Sequence, residues 1–130
     1  MKIIFQTGEL NVEKVLESFT SKNRNSGAVI SFLGKVRPLR NKKKIMSMDI
    51  EIYEEMALYQ TKIAIRNLLK KFKIHDYLII HRYGNLKPGE IIIFVVVASE
   101  HRKEGFTFIQ DIVLYFKKKI TFWKKENYAQ

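Results

Sequence analysis

The chain has 130 residues and a mass of 15.4 kDa, a length that suits one domain with a core of its own. Hydrophobic residues make up 46% and charged residues 28%, which excludes a disordered chain, and the absence of cysteine excludes disulfide frameworks, zinc–thiolate sites and thiol catalysis. Lys and Arg number 24 against 13 acids, a net charge of +11, so the expected partners are polyanions, anionic substrates or acidic proteins.

The first segment, MKIIFQTGEL, has too short an apolar stretch for a signal peptide. No apolar run approaches the ~20 residues that span a bilayer, so a cytoplasmic protein is expected. Lys2–Gln6 reads as a short strand. Asn11 is placed to cap a helix over Val12–Phe19, with Val12, Val15, Leu16 and Phe19 on one stripe. Ser21–Ser26 is polar and turn-like. Gly27–Gly34 is a compact apolar run between glycines, which suggests a buried strand. Residues 35–44 (KVRPLRNKKK) carry six cations and no acid, and read as an exposed loop.

Met46–Tyr53 alternates, with Met46, Met48, Ile50 and Ile52 facing one way, as in a half-buried strand. From Glu54 to Phe72 the period changes to that of a helix, with Ala57, Leu58, Ala64, Ile65, Leu68, Leu69 and Phe72 on its apolar face. Ile74–Tyr83 is a second long strand, Gly84–Gly89 a turn, and Glu90–Ala98 an almost continuously apolar central strand. The last helix runs from about Lys103 to Lys119, with Phe108, Ile109, Ile112, Val113 and Phe116 buried. Strands and helices mixed in this way give an α+β domain around a mixed sheet, spanning residues 1–130 as one unit.

Standard catalytic motifs are missing. There is no dinucleotide-binding glycine fingerprint, P-loop or nucleophile elbow, and His75, His81 and His101 lack the spacing of a helical metal pair, so no metal is expected. What remains is a set of cations beside structural punctuation. Arg37 follows an apolar strand, where loops that carry function begin, though it reads equally as a solvated loop arginine. His101 and Arg102 stand where the last helix starts, a natural anion position, though His101 equally reads as a helix cap. Lys117 lies at the edge of the apolar stripe near Phe106, Gln110 and Val113, where partial desolvation would favour a neutral amine. Lys118 and Lys119 are explained by the helix dipole. Trp123 precedes Lys124, and reads as a core or interface anchor or as part of a site.

Gly27–Arg37 (GAVISFLGKVR), Asp49–Ala57 (DIEIYEEMA), His81–Glu90 (HRYGNLKPGE), Ser99–Arg102 (SEHR) and Tyr115–Glu126 (YFKKKITFWKKE) match one family in order and spacing. With these segments the chain resembles the large, catalytic subunit of molybdopterin synthase. The resemblance implies an α/β-hammerhead fold with a small β subdomain. It implies conversion of cyclic pyranopterin monophosphate to the molybdopterin dithiolene. Two sulfurs would come from the C-terminal Gly-Gly thiocarboxylate of a small ubiquitin-like subunit, whose tail inserts into a pocket. It also implies a homodimer within a heterotetramer, no resident cofactor, and neither membrane nor nucleic acid as partner.

Carried onto this sequence, the resemblance assigns substrate contacts to Lys35, Val36, Arg37, His101, Arg102, Lys117, Lys124, Lys125 and Glu126, with Lys117 and Lys124 expected to be catalytic; as a mechanistic expectation, Glu126 orients one of these lysines. Family members usually continue further, where a tail can add an arginine to the pocket. Here that contact is expected to be lost or supplied otherwise, and the basic loop is expected to bind phosphate or partner, or to be disordered. The competing reading is a basic nucleic-acid-binding module, supported by net charge and aromatic content alone.

Overall fold

The computed structural model describes residues 1–120 and 122–130. Eight strands and three helices follow one another as β1 (Lys2–Gln6), α1 (Val12–Lys22), β2 (Ala28–Lys35), β3 (Leu39–Arg40), β4 (Lys43–Ile52), α2 (Glu54–Lys71), β5 (Ile74–Arg82), β6 (Gly84–Leu86), β7 (Ile91–Ser99), α3 (Arg102–Lys118) and β8 (Phe122–Tyr128). Asn11 caps α1 as expected, its side chain accepting from Lys14 N–H at 3.1 Å.

Two four-stranded sheets organise the chain. The first has the order β1-β5-β7-β2, with β1 parallel to β5 and the other pairs antiparallel. The second joins β3, β4 and β6, with β8 also pairing with β4. This is the expected mixed sheet with helices and a small β subdomain. The apolar strand β7 is central and buried on both faces. Ile93, Val95 and Val97 pack with Phe108, Ile112 and Phe116 of α3 and Ala64, Ile65 and Leu68 of α2. Phe94, Val96 and Ala98 face Phe19 of α1. Alternation of one strand's side chains thus serves two cores. Gly105 lets α3 lie close, since a Cβ there would stand 2.7 Å from Ile30 Cδ1 and 2.9 Å from Ser99 Oγ. A third core, Val36, Ile45, Met48, Ile50 and Leu86, fills the small sheet.

Several expectations change. β2 is an edge strand, partly buried rather than buried, because only β7 flanks it. The basic loop is a hairpin, not a disordered segment: Asn41 (φ 49°) and Lys42 (φ 67°) take the left-handed conformations of a two-residue turn between β3 and β4. Met46 points outward and Ile45 inward, because the β4–β8 pairing slips between Ile45 and Ser47 and reverses the alternation there. The turn at Gly84 contains the short strand β6, and Gly84 has φ +94°. Thr61, absent from the expected helix face, is buried there because its hydroxyl bonds back to Ala57 O at 2.6 Å.

Candidate active site

Where the two sheets meet lies a cleft of about 600 Å³. One row across the central sheet, Phe5–His81–Ile93–Gly34, passes beneath it. Gly34, at the end of β2, carries no side chain to fill it. The last turn of α3 brings Phe116 and Lys117, and β8 brings Phe122 and Lys124, whose alternate positions share one strand face. β8 is held there by pairing with β4 from Ile52↔Phe122 to Ile45↔Tyr128.

Every charged side chain in this lining is a cation: Lys35, Lys117 and Lys124. The remaining wall is apolar, from Phe32, Ile92, Ile93, Val113, Phe116, Ile120 and Phe122. A larger hollow, about 900 Å³, lies between α1 and the start of β2. Glu13 and Glu17 share its rim with a single cation, Arg24, and no cationic set converges there. Chemistry therefore favours the smaller cleft.

His81 forms its floor. It is 1% exposed and stacks on Phe122 at 4.5 Å and 9°, and on Phe116 at 5.4 Å and 21°. Nδ1 lies 2.8 Å from the Arg82 carbonyl, so in the neutral ring Nδ1–H donates. Burial first, then the nearby Lys124 charge, pushes its pKa down to about 3. The floor is uncharged at physiological pH. Lys124 is exposed as a whole residue, yet its ammonium stands 5.9 Å from the Phe122 ring centroid, and desolvation holds its pKa below the ordinary lysine value. Desolvation expected at Lys117 thus falls on Lys124, while Lys117 is exposed on the rim.

The other sequence-predicted residues divide. Arg37 lies two residues beyond Lys35, its guanidinium 3.9 Å from the Glu126 carboxylate, which also pairs with Arg40 at 2.5 Å. Glu126 therefore holds arginines, not a lysine. Val36 is buried in the third core, its backbone paired with Glu90 O and Gly89 N, so it fixes Lys35 and Arg37 rather than presenting a side chain. Lys125 is on the opposite face of β8, opposite Asp49. His101 and Arg102 begin α3, whereas Lys117 stands in its last turn. Fifteen residues of helix separate Arg102 from Lys117, roughly 22 Å along the axis. His101 is the N-cap residue, but its side chain makes no capping bond. Trp123 is half exposed and meets Tyr53 edge-on at 5.2 Å.

Two residues escaped the sequence reading. A histidine inside the apolar run Tyr77–Arg82 was the available signal for His81. Arg40 had none beyond its charge, since only the hairpin brings it to Glu126. Among the described residues no three His, Asp or Glu gather as a metal site, and no helix is long and apolar enough to cross a membrane.

Comparison with known proteins identifies the family and the fold. Residues 5–119 match the family model described as MoaE protein. A molybdopterin synthase catalytic subunit of Pyrococcus abyssi is 34% identical over 97% of this chain and 84% of its own length. A molybdopterin biosynthesis MoaE protein from Burkholderia ambifaria superposes with a TM-score of 0.85 at 25% identity, covering 98% of this chain and 88% of that one. A protein–protein complex of subunits 1 and 2 of molybdopterin-converting factor from Helicobacter pylori contains a chain that shares the fold, with a TM-score of 0.79 at 20% identity, covering 98% and 90%. The chain belongs to the MoaE protein family, that of molybdopterin synthase catalytic subunits.

Proposed function

We propose that the cation-lined cleft is where sulfur passes from the thiocarboxylate tail of a small Gly-Gly-ending partner to cyclic pyranopterin monophosphate, with residues 1–130 acting as one catalytic-subunit domain in the cytoplasm. The observation that carries this reading is the lining itself: three lysines and no carboxylate, over a floor of aromatic rings and a neutral histidine. A thiocarboxylate, a phosphate and the oxyanions formed between them all bring negative charge. Cations already in place where such charge develops stabilise it, the more so once bound ligands displace water from the cleft.

Each transfer forms a carbon–sulfur bond to the substrate as one of its carbon–oxygen bonds breaks, the oxygen leaving as water or remaining on the phosphate, and then cleaves the acyl–sulfur bond of the partner. Water supplies the oxygen that turns the partner's tail into a carboxylate. Lys117, on the rim, serves the reacting carbon as proton donor or as counter-charge to the acyl and thiolate intermediates. Lys124 faces it from β8. Its lowered pKa makes proton release less costly than from an ordinary lysine. Lys35 and Arg37 draw in the phosphate, and Val36 and Lys125 hold the strands that carry their neighbours.

His101 and Arg102 are too far from this cleft along α3 to serve it in the same chain. In a homodimer they serve the second copy's cleft, and each cleft is complete only in the dimer. With a small subunit on each copy the assembly is a heterotetramer. The experiment is reconstitution. The purified chain, supplied with thiocarboxylated partner and cyclic pyranopterin monophosphate, should form the dithiolene. It should form none with a partner lacking its last two glycines. No product at saturating partner would overturn the reading.

A further inference from the structure

Glu126 is an unusual carboxylate. Its side chain is only 9% exposed, and one of its oxygens, Oε1, serves both Arg40 and Arg37. The other, Oε2, is buried without a hydrogen-bond partner among the described residues. An ion pair kept for stability alone would satisfy both oxygens, since a buried orphan acceptor costs free energy and exposed ion pairs return little. What the arrangement achieves is placement. Two guanidiniums from different strand ends are drawn toward one point, Arg40 by a direct hydrogen bond and Arg37 at ion-pair distance, 3.9 Å, and each is more than half exposed.

The fork continues the cleft. Phe122, Lys124 and Glu126 alternate along one face of β8, so Glu126 lies about 7 Å beyond Lys124. Arg37 stands the same two residues beyond Lys35. One carboxylate against two arginines leaves a net positive charge, and a guanidinium has five N–H donors, more than the contacts of Arg40 with Glu126 and Tyr128 use. Paired arginines with outward donors match the non-bridging oxygens of a phosphate, which accepts bidentate bonds. A tail carboxylate needs only one such fork.

We infer that Arg40 is a substrate-binding residue, which with Arg37 forms a two-arginine phosphate site, and that Glu126 is the positioning residue that sets their spacing. This rests on the sulfur-transfer reading above, because the phosphate in question is that of the pyranopterin. The β3–β4 hairpin thereby supplies a second arginine from within the chain.

The test is steady-state kinetics of Arg40→Gln and Arg40→Lys, with Lys42→Gln at the tip of the same hairpin as the charge control. Arg40→Gln should raise KM for cyclic pyranopterin monophosphate about tenfold, with kcat and affinity for the small partner within twofold of the parent. Arg40→Lys should recover only part of the loss, and Lys42→Gln none of it should show. Inorganic phosphate should inhibit the parent competitively, and at least fivefold more weakly after Arg40→Gln. An unchanged KM in Arg40→Gln would overturn the inference, as would a loss confined to partner affinity or a KM shift equalled by Lys42→Gln. An inactive parent chain would refute the sulfur-transfer reading instead, so the two failures are distinct.

Discussion

His81 shows how one residue sets the character of a site. It lies in a row of apolar side chains, and the fold keeps it neutral by burial and by the Lys124 charge. Unfolding returns it to an ordinary value near 6.5. Below that pH the unfolded chain binds a proton that the folded chain refuses. Its contribution is complete above pH 6.5 and is lost as the pH falls toward 3. Asp49, lowered mainly by the Asn85 hydrogen bond and then that of Asn127, loses its contribution only below its ordinary value of 3.8, and Asp76 and Glu100, also lowered, lose theirs below 3.8 and 4.5. The upper acid window therefore reports the histidine. His81→Phe keeps a flat ring against Phe122 and removes the titration. Urea midpoints between pH 6.5 and 4.5 should fall less steeply in this variant than in the parent. Parallel slopes would contradict the buried neutral assignment.

Elements were legible in the sequence where local pattern and final environment agree. Lys2–Gln6, the Asn11 cap, the helix from Glu54 and the apolar β7 all follow from period and propensity. β8 was not legible: Phe122–Tyr128 is rich in charge and has no apolar alternation, and it is a strand because β4 offers it an edge. The hairpin at 39–44 was hidden by lysines where turn glycines are usual. Asn41 suits a left-handed position, but Lys42 at φ 67° pays a steric cost that glycine would not. Lys42→Gly should raise stability by about 0.5–1 kcal/mol, the favoured Asn-Gly turn outweighing the entropy of glycine. Thermal unfolding measures this, and a lowered midpoint would show that the hairpin turn is not as described.

At the scale of the whole molecule, the cations seen as one cluster in the sequence fall into two groups. Lys35, Lys117 and Lys124 line the cleft where the sheets meet, with Arg37 beside it at Glu126, and His101 and Arg102 stand at the far end of α3. The length of that helix already contained the separation, but residue order alone did not say which chain each group serves. If each cleft is completed by the other copy, mixed dimers separate the contributions. Lys117→Ala and Arg102→Ala, each weak alone, should recover about a quarter of the parental activity when equal amounts exchange freely, because half of the dimers are then mixed and one of the two clefts in each mixed dimer receives both parental groups. The mixture should also migrate as a dimer on sedimentation. No recovery, with exchange verified by a mass tag, would place both groups in one chain's site. Under the proposed reaction, the net charge of +11 suits an anionic substrate and the partner's thiocarboxylate tail rather than nucleic acid.

The claim that the cleft performs sulfur transfer is tested most directly at its rim, by comparing Lys117→Ala with Lys118→Ala. The two lysines are adjacent, both exposed, and only Lys117 lines the cleft. Neither lies in a packed core, so each change should alter stability by less than about 1 kcal/mol. The measurement is kcat for pyranopterin conversion with saturating thiocarboxylated partner. Lys117→Ala should lower it on the order of a hundredfold or more, Lys124→Ala somewhat less, and Lys118→Ala hardly at all. Equal activity of Lys117→Ala and Lys118→Ala would contradict the assignment of this cleft.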